Sequence, residues 1–69
     1  MIEKLVKYFE FQMQVMDKIG KGEYGTKMHI WDKCFGAIDL IDHLGIVKTK
    51  ELEELWKEWS ERLWEKVEE

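Results

Sequence analysis

No proline interrupts these 69 residues, and four of the five glycines fall at two places: Gly20, Gly22 and Gly25 together, and Gly45 alone. Proline is the residue that breaks a helix interior, and glycine is the residue that most readily ends one. The chain therefore divides into three long stretches that nothing local prevents from being helical. Each repeats its apolar residues at helical spacing.

In the first stretch Ile2, Leu5, Val6, Phe9, Met13 and Met16 mark one stripe, running on to Ile19 before Gly20 can end the helix in a left-handed conformation. A second stripe, Tyr8, Phe11, Val15 and Ile19, lies far around the same cylinder at about 100° per residue. A helix with two apolar faces needs more neighbours than a lone three-helix bundle supplies, so Tyr8, Phe11, Val15 and Ile19 are expected to meet another copy of the chain. The alternative is that the following loop folds back over Tyr8 and Phe11.

The second stretch opens with Thr26 as the expected N-cap. It carries Met28, Ile30, Trp31, Cys34, Phe35, Ala37, Ile38, Ile41 and Leu44 on a wide apolar arc, the pattern of a helix packed between neighbours. Gly45 is placed for a Schellman ending with Ile46 as its hydrophobic contact. In the third, Thr49 is the expected cap and Leu52, Leu55, Trp56, Trp59, Leu63 and Val67 form the buried stripe. Glu53 with Lys57 and Glu58 with Arg62 are i,i+4 ion pairs in the better orientation. Trp64 lies off the stripe, and an exposed tryptophan hints at a partner surface. The fold expected is all-α: one domain over residues 1–69, three helices at roughly 2–19, 27–44 and 50–68 in an up-down-up arrangement, forming an oligomeric helical bundle.

A chain this short buries only about 60% of its unfolded surface, and small domains commonly need a staple. Cys34 is the only cysteine, which excludes an internal disulfide and a cysteine zinc site and favours a reducing compartment. Four tryptophans, three phenylalanines and two tyrosines supply large side chains instead. No apolar run approaches a membrane span and no secretory signal opens the sequence, so a soluble, cytoplasmic protein is expected. The net charge of −4 argues against general nucleic-acid binding. That charge lies wholly in residues 50–69, where eight acids face four bases, while residues 1–49 hold seven of each.

Gly20-Lys21-Gly22-Glu23-Tyr24-Gly25 spells G-x-G-x-x-G, as in kinase and dinucleotide-binding loops, but those loops need flanking strands and here a helix precedes. What survives is a phosphate cradle: freed amides, a helix N-terminus, and the charges of Lys21 and Lys27. Tyr24 would stack on a base, Thr26 sits at the helix start, and Tyr8 and Phe11 of a neighbouring subunit would complete the pocket. The same composition also describes an ordinary inter-helix loop. In size, wholly helical build and its lysine- and tyrosine-bearing loop, the chain resembles small viral sponge proteins that sequester cyclic nucleotide signals of antiphage defence. That resemblance implies a phage origin, host-cytoplasm localisation and a non-enzymatic role as an inhibitor of defence signalling.

His29, Asp32, Gly36, Asp39 and His43 are spaced 3, 4, 3, 4 and align as a polar stripe. His29, Asp32, Asp39 and His43 are thus a candidate divalent-metal set, or simply the solvated side of the helix. No constellation suggests catalysis: Cys34 lies among apolar residues and Ser60 has no histidine near it in sequence. No enzyme activity and no cofactor are expected. Three functions stand open: capture of an anionic, nucleotide-like ligand by a homo-oligomer, a protein–protein interaction module using Phe11, Trp64 and the acidic third helix, and a helix-borne metal site.

Overall fold

The computed structural model describes residues 1–69 as three α-helices, α1 (Ile2–Ile19), α2 (Tyr24–Leu44) and α3 (Thr49–Glu68), with no strand. Their order is up-down-up. Tyr24, at the start of α2, hydrogen-bonds the Glu68 carbonyl at the end of α3, while Asp42, near the end of α2, meets Thr49 at the start of α3. Lys66 of α3 reaches Asp17 of α1 at 2.7 Å, so α1 and α3 run parallel. The resulting rod measures 36 × 18 × 16 Å, and α2 packs most extensively on α3.

The core is one cluster: Leu5, Phe9 and Met16 from α1, Ile30, Cys34 and Ile38 from α2, and Leu52, Trp59, Leu63 and Val67 from α3. Phe9 is its hub, with ring centroids 5.7 Å from Trp59 and 6.0 Å from Trp56. In α1 the buried residues are Leu5, Phe9, Gln12 and Met16, at spacings 4, 3, 4. The burial axis therefore passes between the two expected stripes. Tyr8, Val15 and Ile19 form one shoulder of a single broad face and pack partly buried against the core of their own chain. This phase of the helix gives these three partial cover from their own chain. Phe11, about 160° around from Phe9, is 58% exposed.

Several caps differ from expectation. Helix α2 begins at Tyr24 after Glu23, so Thr26 lies inside the first turn and caps nothing; Gly25 is also helical. Gly20 has φ 91° and ψ −171°, a conformation open to glycine rather than a left-handed cap. Gly45 does end α2 in the left-handed region, donating its N–H to the Asp42 carbonyl at 3.1 Å. Ile46 is exposed and Val47 makes the core contact in its place. Thr49 is the first residue of α3, and its hydroxyl donates to Asp42 Oδ1 at 2.7 Å, a clasp across the α2–α3 turn. Neither Glu53–Lys57 nor Glu58–Arg62 forms an ion pair. Such exposed pairs contribute only a few tenths of a kcal/mol, and the Arg62 guanidinium lies instead 3.9 Å from the Trp59 ring centroid. No helix is long and apolar enough to cross a membrane.

Candidate functional site

The residues expected to cradle an anion do not converge within one chain. Lys21 is exposed on the turn between α1 and α2. Lys27 is 2% exposed, yet no buried side-chain nitrogen lacks a partner and the Lys27 ammonium makes no hydrogen bond or ion pair; its stem packs inward and only its tip meets solvent. Tyr24 points its hydroxyl to the Glu68 carbonyl at 3.5 Å, beside the acidic C-terminal end of α3. Phe11 and Tyr8 lie eight and eleven residues before Ile19, about 12 and 16 Å down the α1 axis from the turn. A carboxylate-rich helix end beside the turn also opposes a phosphate there.

The polar stripe of α2 is exposed at all five positions. His43 Nδ1 lies 3.2 Å from the Asp39 carbonyl and 3.7 Å from its carboxylate, an interaction of successive turns, and no three histidine, cysteine or acidic side chains come together. Cys34 is fully buried, and burial pushes its thiol from 9.0 up to about 11, the opposite of what a nucleophile needs. Burial also raises the Tyr8 hydroxyl, with the nearby Cys34 adding to the effect and Gln12 opposing it. Gln12, buried itself, lies one turn from Tyr8 on the same helix.

What does converge is aromatic. Along the seam between α2 and α3, Trp31 stacks on Phe35 at 6.2 Å, meets Trp56 at 5.3 Å and takes Trp64 edge-on at 5.5 Å, while Phe35 meets Trp56 at 5.7 Å. Helical spacing brings this about: Trp31, Phe35, Ile38 and Asp42 share one edge of α2, and Thr49, Glu53, Trp56, Ser60 and Trp64 share the facing edge of α3. The Trp31 indole N–H donates to the Ser60 carbonyl at 3.1 Å, which holds the ring against α3. Trp64 is therefore half-buried rather than free, whereas Phe35 remains 49% exposed.

Carboxylates edge this seam from end to end. A shallow groove lined by Trp31, Ser60, Glu61, Trp64 and Glu65 leads toward a deeper cavity of about 200 Å³ lined by Phe35, Ile38, Asp39, Asp42, Thr49, Leu52, Glu53 and Trp56. None of the five acids pairs with a lysine or arginine, and no basic residue lines either hollow. From Thr49 to Trp64 the seam is about 22 Å long at the helical rise.

No protein-family model matches this chain, and no curated protein or solved structure matches it either. Trp64 and the acidic face of α3 are legible in the sequence as a partner surface, whereas periodicity groups Trp31 and Phe35 with the buried arc of α2. The wide apolar arc of α2 carried the missing signal, because an arc broader than two neighbouring helices can cover must leave an edge outside.

Proposed function

We propose that this protein is a non-enzymatic interaction module that binds a basic, amphipathic segment of a partner protein along the α2/α3 seam. One observation carries the reading: a continuous run of four aromatic rings reaches the surface between Asp39, Asp42, Glu53, Glu61 and Glu65, and no lysine or arginine of the chain pairs with any of these acids. Aromatic anchors supply contact area at low entropic cost, and unpaired carboxylates around them select a basic partner and speed its approach. A length of about 22 Å suits a helix of four turns.

Titration of the protein with a Leu/Arg amphipathic helical peptide, followed through tryptophan fluorescence, tests the reading. Saturable binding that weakens with salt and on Glu61→Lys with Glu65→Lys is expected, with no binding of the matched Leu/Glu peptide. Equal binding of the two peptides, or of neither, refutes it.

Capture of a nucleotide-like anion by a homo-oligomer, as in the viral sponge proteins this chain resembles, is the competing proposal. Exposed Lys21 and the open backbone at Gly20 and Gly22 favour it. It requires Tyr8 and Phe11 from a second copy, because those of the same chain lie too far down α1.

A further inference from the structure

The cavity near the α2–α3 turn has a floor of Phe35, Ile38, Leu52 and Trp56 and a rim bearing Asp39, Asp42 and Glu53. Its volume of about 200 Å³ falls below the roughly 300 Å³ at which small-molecule sites begin, so it suits one long side chain better than a free nucleotide or cofactor. We infer that this cavity takes an arginine side chain of the partner segment, the aliphatic stem against Ile38 and Leu52 and the guanidinium between the Phe35 and Trp56 rings and the carboxylates. The inference rests on the interaction reading above and names the residue that anchors the partner.

Three features select this occupant. Charge is one: three carboxylates meet at the mouth with no lysine or arginine of this chain paired to them. Ring geometry is another. Phe35 and Trp56 meet at 64°, leaving an aromatic face in the wall, and a planar, weakly hydrated guanidinium stacks on such a face where a compact ammonium gains less. The chain already makes this contact once, with Arg62 over Trp59. Rigidity is the third. Asp42 is held by the 2.7 Å bond from Thr49, so one carboxylate is positioned before any ligand arrives.

Butylguanidinium and its neutral isostere butylurea, titrated into isotopically labelled protein, separate these features by nuclear magnetic resonance. Saturable shifts of the Phe35, Ile38 and Leu52 amides and the Trp56 indole N–H are expected with the cation alone. Asp42→Asn with Glu53→Gln should weaken that binding about fivefold or more, the loss of roughly 1 kcal/mol of charge pairing, while Glu61→Gln with Glu65→Gln leaves it unchanged. Equal shifts from the two probes, or insensitivity to the Asp42/Glu53 variant, overturn the inference. If the Leu/Arg peptide still binds wild type and the Asp42/Glu53 variant equally, the arginine cavity falls and the seam reading stands. Guanidinium binding with no peptide binding overturns the seam reading and the assignment of the cation to a partner protein.

Discussion

Two phenylalanines two residues apart on α1 provide the sharpest test of this architecture. Phe9 has no exposed surface and touches Trp56, Trp59 and Tyr8 through its ring, whereas Phe11 is 58% exposed. Replacing a fully buried Phe with Ala costs about 3–5 kcal/mol in transfer and cavity terms. A domain of this length has a total stability of about 3–10 kcal/mol at 0.05–0.15 kcal/mol per residue. Phe9→Ala should therefore lower Tm by tens of degrees or unfold the chain outright, at about 4–8 °C per kcal/mol. Phe9→Leu, which keeps most of the volume, should cost less than about 2 kcal/mol and remain measurable. Phe11→Ala should stay within about 0.5 kcal/mol of wild type. Urea unfolding followed by far-ultraviolet circular dichroism at two protein concentrations reads all three. Comparable losses at both positions would mean that the rotation of α1 is wrong. A loss at Phe11 that grows with protein concentration would instead reveal a second copy seated on that helix.

Alkaline stability should report Cys34. Its thiol is raised in the folded state, so its contribution is complete below about pH 9 and is lost as pH climbs through 11, at most about 2.7 kcal/mol. Tyr8, raised by burial, and Lys66, raised by its hydrogen bond to Asp17, weaken the fold over the same alkaline range, so Cys34→Ala should reduce the pH slope of chemical denaturation without abolishing it. An unchanged slope would show the thiol to be solvated. Gly45→Ala forces a Cβ into φ 66° and should cost about 1–2 kcal/mol in the same assay; a neutral result would mean that α2 ends differently. For the competing nucleotide proposal, cyclic dinucleotides at 100 times a dissociation constant would add about 2.7 kcal/mol and raise Tm, with the rise lost in Lys21→Ala. A flat melting temperature at millimolar ligand removes that proposal.

Helix number, approximate limits and most of the core were legible in the residues alone. Absence of proline, glycine at the breaks and apolar spacing are local properties, and Leu52, Trp59, Leu63 and Val67 were already marked as one stripe of α3. Buried Cys34 follows from the same periodicity. The rotational phase of α1 was not legible, because Gln12 is polar and Tyr8 and Val15 are apolar; choosing among them required knowing where the other two helices lie. The threonine caps differ for a related reason: Thr26 and Thr49 have the right chemistry for an N-cap, but backbone register places Thr26 within a turn and a partner on the neighbouring helix turns Thr49 toward Asp42. Trp31, Phe35, Trp56 and Trp64 are far apart in sequence, and no pattern within one helix reveals that they share a seam. Periodicity sets which side of a helix avoids water, whereas packing sets which neighbour covers that side, and the surface left over is a property of the assembled three.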